Sequence, residues 1–125
     1  MTVIRQEDFI QSIADAFQYI SCYHPKDYID ALYQAYLREE SPAAKDAMAQ
    51  ILINSRMCAE GRRPICQDTG IAVVFLKVGM KVQWDATLSV QEMINEGVRR
   101  AYLHPDNTLR ASVLLDPAGK RQNSK

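Results

Sequence analysis

At 125 residues, 47% of them hydrophobic and 24% charged, the chain has room for one small core, so a single domain over residues 1–125 is expected. Fifteen basic and fifteen acidic side chains cancel, which argues against a nucleic-acid partner, because neutralising phosphates calls for a clustered basic excess. No apolar run approaches the roughly 18 residues of a membrane span and no secretory leader opens the chain, so no membrane partner and a cytoplasmic location are expected.

The first sixty residues read as three helices. Phe9, Ile13, Ala16 or Phe17 and Ile20 recur at helical spacing, with Glu7 and Asp8 in the first turn, predicting a helix from about Asp8 to Ser21. His24-Pro25 ends it and opens a second, with Pro25 at the first helical position and Tyr28, Leu32, Ala35 and Tyr36 on one face. Ser41-Pro42 repeats the device for a third helix, whose stripe is Ala44, Met48, Ile51 and Cys58 and whose C-cap is Gly61.

Beyond Gly61 the character changes. The run Ile71 to Val78 is β-branched, aromatic and short, predicting a buried strand that turns at Gly79 into a second strand near Lys81 to Trp84. Ser89 and Glu92 form a capping box, Leu88 and Met93 are spaced as a hydrophobic staple, and Val90, Met93 or Ile94, Gly97 or Val98 and Ala101 predict a helix to about Leu103. Leu109 to Leu115 reads as another strand, closed by the turn residues Asp116 to Gly119. Three helices, then a small sheet with one further helix, make the expected class α+β.

Charge is uneven along the chain. Residues 1–60 carry five basic against nine acidic side chains, and residues 61–125 carry ten against six, so the second half suits a small anionic ligand. Three cysteines, an odd number without CxxC spacing, encode neither a disulfide framework nor a self-contained zinc site. Cys22 and Cys58 read as inert buried thiols.

Cys66 is different. It lies in Arg62-Arg63-Pro64-Ile65-Cys66-Gln67-Asp68-Thr69-Gly70, where a Pro and a Gly force irregular backbone around a thiol, an amide, a carboxylate and a hydroxyl. A thiolate ligand forms most readily beside cations, which Arg62 and Arg63 supply, and Asp68 could move a proton if the loop bends. Asp68-Thr69-Gly70 alone is the tripeptide of aspartic proteases or an ordinary Asx turn. The all-β protease fold conflicts with three preceding helices. His24 and His104 each precede a Pro and read as capping or surface residues, and Arg99 and Arg100 as a solvated helix face.

The run Arg63 to Gly70 resembles the signature of the iron–sulfur-dependent hydro-lyases, meaning class I fumarases and the related tartrate dehydratase α subunits. Ala59 to Arg62, Ile71 to Val78, Glu96 to Tyr102, Leu109-Arg110-Ala111-Ser112 and Asp116-Pro117 extend the resemblance over essentially the whole chain. It implies that Cys66 is one of three cysteines holding a [4Fe–4S] cluster, whose open iron acts as a Lewis acid on the substrate. It further implies that Asp68 exchanges a proton with water and Gln67 hydrogen-bonds a substrate carboxylate. Thr69 and Arg110 complete the expected binding set for a small dicarboxylate, since a guanidinium clamps a carboxylate through two parallel hydrogen bonds. The expected reaction is hydration of fumarate to malate, with tartrate dehydration or a non-catalytic interaction module as alternatives. Relatives are longer and carry the other two cluster cysteines elsewhere, so the chain is expected to be an N-terminal portion, inactive alone, of a protein that is a homodimer when complete.

Overall fold

The structure, a computed structural model, describes residues 1–66 and 71–105. The fold is α+β, in the order β1 (Thr2–Arg5), α1 (Gln6–Cys22), α2 (Lys26–Arg38), α3 (Pro42–Gly61), β2 (Val82–Asp85) and α4 (Val90–Leu103). The chain divides into two compact units: residues 1–18 with the described residues from 71 onward, and Tyr19–Cys66.

In the first unit β1 and β2 pair in parallel, with Thr2 opposite Val82 and Arg5 opposite Asp85. Nothing in the chain's first residues announces β1, because a four-residue strand gains its stability from a partner some eighty positions away. Strand β2 is shifted by one residue from its expected place. The Gly79 turn is present, with the Val82 amide donating to the Gly79 carbonyl at 3.1 Å. Against β2 lies Phe9, whose ring meets Trp84 edge to face with centroids 5.1 Å apart.

Helix α4 starts as its sequence predicts. The Ser89 hydroxyl accepts from the Glu92 amide at 3.2 Å, and the Glu92 carboxylate accepts from the Ser89 amide at 3.2 Å, which satisfies two otherwise orphaned donors. A device not visible in the sequence adds to it: the Gln6 amide oxygen accepts from the amides of Thr87 and Leu88, at 2.9 and 3.1 Å, and so ties the approach to α4 onto the start of α1.

The inner face of α4, Met93, Gly97, Val98 and Ala101, is buried as expected. On α1 the buried stripe is Ile10, Ala14 and Phe17, with Ile13 packed beside it; of the two expected alternatives Phe17 rather than Ala16 turns inward, and Ile20, expected on the stripe, is exposed. The core of this unit is Ala14, Phe17, Val98 and Ala101, with Ala72 and Val74 against it. Gln18 crosses from α1 to donate to the Ala101 carbonyl.

Arg99 and Arg100 are not merely a solvated face. Arg100 donates to Glu7 on α1 at 2.8 Å and to Glu96 at 3.0 Å, while Arg99 grips Glu96 with two bonds of 2.8 Å. Hydrogen bonds from Arg99 and then Arg100 hold the Glu96 carboxyl down to about 2, outweighing the opposing effect of burial. A carboxylate whose pKa is lowered in the folded state stabilises it above the ordinary value of 4.5, and that contribution is lost as pH falls from there to about 2. We therefore expect the urea midpoint to fall over this pH window, and to fall less in Glu96→Gln, measured side by side at pH 7 and pH 3.

The second unit differs from its sequence reading in three places. Pro25 is the N-cap of α2 rather than its first helical residue, with φ −59° and ψ 148°. On α3 the inward line is Ala44, Met48, Leu52, Ser55 and Cys58, and Ile51 is exposed, because the stripe drifts with the 3.6-residue turn. The N-cap Ser41 and the adjacent Pro42 are as expected. Gly61 ends α3 as its last helical residue, and the left-handed C-cap position falls to Arg62 instead, at φ 51° and ψ 49°.

The largest departure concerns Ile71 to Val78. Among the described residues it forms no strand; Ala72 and Val74 are half-buried, whereas Ile71, Val73 and every residue from Phe75 to Val78 are exposed. A strand is defined by the hydrogen bonds of a neighbour, and no described residue provides them. The strand expected at Leu109 to Leu115 and the turn from Asp116 to Gly119 lie outside the described residues.

Candidate functional site

The loop leading to Cys66 begins where α3 ends. Arg62 takes the left-handed conformation, at a cost of about 1 kcal/mol for a residue with a side chain, and the Arg63 amide donates to the Cys58 carbonyl at 3.0 Å. The chain is thereby reversed.

Three further bonds fix the two residues before the cysteine. The Cys58 thiol donates to the Pro64 carbonyl at 3.3 Å, the Asn54 amide donates to the Ile65 carbonyl at 3.0 Å, and the Ile65 amide donates to the Ser21 carbonyl at 2.8 Å. Pro64 and Ile65 are thus bonded to α3 and to the end of α1, and Cys66 follows them as an exposed thiol outside any disulfide.

The role of Asn54 was not legible in the sequence, since an Asn on the outer half of a helix carries no signal of its partner. Asn54→Ala should cost about 1 kcal/mol or less, typical of one hydrogen bond. It should also speed exchange of the Ile65 amide by about fivefold; an unchanged exchange rate would show that this bond does not hold the loop.

The other two thiols occupy different surroundings. Cys22 and Cys58 are buried, and burial, with a further contribution from the nearby Cys58 thiol, pushes the Cys22 pKa up. A raised pKa keeps a thiol protonated and unreactive, whereas a metal ligand must be a thiolate. His24 is half-buried, with Nδ1 2.9 Å from the buried Ser55 hydroxyl and its ring stacked on Tyr28 at 4.6 Å. It is a packing residue of this unit rather than a surface one. His104 caps α4 at its C-terminus.

A shallow depression of roughly 410 Å³ lined by Gln6, Glu7, Glu92, Glu96, Arg99 and Arg100 has both of its arginines in ion pairs, so it offers an anion little. Among the described residues, no group of three His, Cys, Asp or Glu side chains could hold a metal ion. Of the three cysteines, Cys66 alone is exposed. Gln67, Asp68, Thr69 and Arg110, the other residues the sequence singles out, lie outside the described residues.

The profile of the fumarate hydratase (Fumerase) family matches residues 10–125, nearly the whole chain. The chain belongs to the fumarate hydratase family. This is a family of hydro-lyases, in agreement with the resemblance drawn from the run around Cys66. A protein assigned as the L(+)-tartrate dehydratase subunit alpha of Methanocaldococcus jannaschii is 35% identical over 89 residues, covering 71% of this chain and 31% of that protein. The anaerobic class I fumarate hydratase of Escherichia coli is 33% identical over 78 residues, covering 62% of this chain and 14% of that enzyme. The chain thus spans less than a third of the length of either relative. No described helix is long and apolar enough to cross a membrane.

Proposed function

We propose that this fumarate hydratase family chain is the Cys66-bearing portion of a hydro-lyase that adds water reversibly to fumarate to give malate. The observation that carries the reading is the exposed Cys66 thiol, held on a loop bonded through Pro64 and Ile65 to α1 and α3, in a chain whose other two thiols are buried. Cys66 would be one thiolate ligand of a [4Fe–4S] cluster, the other two coming from sequence that this chain does not contain. Bound there, the cluster would supply a Lewis acid for the departing or entering hydroxyl group.

This chain's own residues would bind the substrate and handle the proton of water, while the group that exchanges the proton at carbon would come, like the other two cluster ligands, from outside this chain. Asp68 would pass a proton to or from water at its carboxyl oxygen, Gln67 and Thr69 would hydrogen-bond a substrate carboxylate and hold its orientation, and Arg110 would clamp a carboxylate with two parallel bonds. Positive charge in the second half of the chain favours the dicarboxylate on approach. The complete protein would be a cytoplasmic homodimer, and the 125-residue chain alone would be inactive.

Tartrate is the second reading, favoured by the archaeal relative, which matches over more of this chain than the bacterial fumarate hydratase does. Assaying the complete enzyme after anaerobic reconstitution with iron and sulfide, on fumarate, malate and L(+)-tartrate in parallel, separates the two; turnover of none of them would reject the hydro-lyase reading. In the same enzyme, Asp68→Asn should lower kcat by at least about 100-fold while leaving KM within a fewfold, as expected for a group used in proton transfer. An unchanged kcat would remove Asp68 from the chemistry.

A further inference from the structure

Two successive peptide groups lead into Cys66, and each is held from outside the loop. In the peptide joining Pro64 to Ile65 the amide donates to the Ser21 carbonyl at 2.8 Å and the carbonyl accepts from the Cys58 thiol at 3.3 Å, so both polar ends are bonded. The next peptide, joining Ile65 to Cys66, carries the cysteine itself. Its carbonyl accepts from Asn54 Nδ2 at 3.0 Å. Because a peptide group is planar from one Cα to the next, a bond that holds this carbonyl also holds the Cα of Cys66.

Asn54 is itself oriented. Its Oδ1 lies 3.6 Å from the Cys58 sulfur, which shares its one proton between this oxygen and the Pro64 carbonyl. Only one of the two orientations of the Asn54 amide suits both neighbours, because the reverse would set an acceptor against the Ile65 carbonyl and a donor against the thiol. Cys58 is buried and Asn54 lies one turn before it on α3, so the donor stands on a rigid element while its own side chain stays exposed.

We propose that Asn54 is a positioning residue for Cys66: by holding the peptide that carries the cysteine, it fixes where the thiol is presented. Between that peptide and the sulfur only the rotations about the N–Cα and Cα–Cβ bonds of Cys66 remain. A metal ligand has to be delivered to within about 0.5 Å of its working place. Partners that orient ligands typically change metal affinity by about 10- to 100-fold. The inference rests on Cys66 being a ligand of the iron–sulfur cluster.

The test compares Asn54→Asp, Asn54→Ala and Gln50→Ala. Asn54→Asp is nearly isosteric, keeps an oxygen for the Cys58 thiol and loses the donor to the Ile65 carbonyl. Its helix neighbours three and four positions away, Gln50, Ile51, Met57 and Cys58, carry no formal charge, so the new carboxylate meets no like charge there. Gln50→Ala removes an exposed amide one turn earlier on α3, where it bonds Asp46 at 2.9 Å and not the loop.

In the 125-residue chain without cluster, the backbone order parameter of Cys66 should be near the rigid value of about 0.85 in wild type and in Gln50→Ala, and below about 0.6 in both Asn54 variants. In the complete enzyme, reconstituted anaerobically with iron and sulfide, loss of iron to a chelator should be about tenfold faster in both Asn54 variants and unchanged in Gln50→Ala. An Asn54→Asp variant in which either quantity matches wild type overturns the proposal, as does a Gln50→Ala variant that shifts both equally. A wild-type enzyme that takes up no iron rejects the cluster reading instead, and the order parameter alone then decides the role of Asn54.

Discussion

Cys66→Ser in the complete, reconstituted enzyme is expected to abolish uptake of the iron–sulfur cluster and to lower hydration of fumarate by at least about 100-fold, the upper end of losses on disturbing a metal site's outer partners. A seryl hydroxyl stays protonated near neutral pH and is a harder donor than a thiolate, so the substitution is nearly isosteric yet removes the ligand. Visible charge-transfer absorbance and iron content, read beside activity, are the measurements. The control is informative in its own right. Cys58→Ser should keep the cluster, because the Cys58 thiol donates to the Pro64 carbonyl from a buried position and a hydroxyl makes the same bond. If Cys66→Ser retains cluster and activity while Cys58→Ser loses both, the assignments of exposed and buried thiol are reversed and the proposed site is wrong.

The second large effect is expected at Gly97. A Cβ there would lie 2.6 Å from Ile13 Cβ and Cγ2 and 2.9 Å from the Ile10 carbonyl oxygen, distances that real side chains do not adopt. Alanine is the better helix former by about 1 kcal/mol, so on an exposed helix Gly→Ala would stabilise. Here α1 and α4 are packed backbone to side chain, and separating them would disturb Val98 and Ala101, which are buried in the core of that unit. The overpacking penalty of roughly 1–3 kcal/mol should prevail. Gly97→Ala should therefore lower the urea midpoint with its slope unchanged; a midpoint equal to or above wild type would show that α1 and α4 part at no cost. Val98→Ala supplies the complementary result, a cavity in place of a clash, and should also destabilise.

These expectations follow from parts of the molecule that were unequally readable. The α4 capping box and its buried positions were legible because every partner lies within four residues, and a local hydrogen-bond pattern is written in local sequence. The same holds for the Ser41 cap of α3. Burial phase along α1 and α3 was less readable: Ile20 and Ile51 are apolar and helical yet exposed, and Ser55 is polar yet buried beside His24. Which stripe turns inward depends on what packs against it.

At the candidate loop the division is sharper. Cys66-Gln67-Asp68-Thr69-Gly70 was singled out from residue chemistry, and the profile over residues 10–125 established the family it pointed to. The contacts made by Ser21, Asn54 and Cys58 to Pro64 and Ile65 had no signature in the sequence, since each joins a helix to a loop that the chain reaches only later.

By itself, then, the sequence determined the helices, the Ser41 and Ser89 N-caps, the α+β class and the family, all of which rest on spacing within a few residues or on one contiguous motif. Only the tertiary structure decided that β1 exists, that Gly97 is a contact and not a flexible point, that Arg100 bridges Glu7 and Glu96, and that Ile71 to Val78 lacks a strand partner among the described residues. Each of those joins groups far apart in the chain. Chain entropy opposes such meetings until packing and hydrogen bonds in the folded state offset it, so no local pattern encodes them.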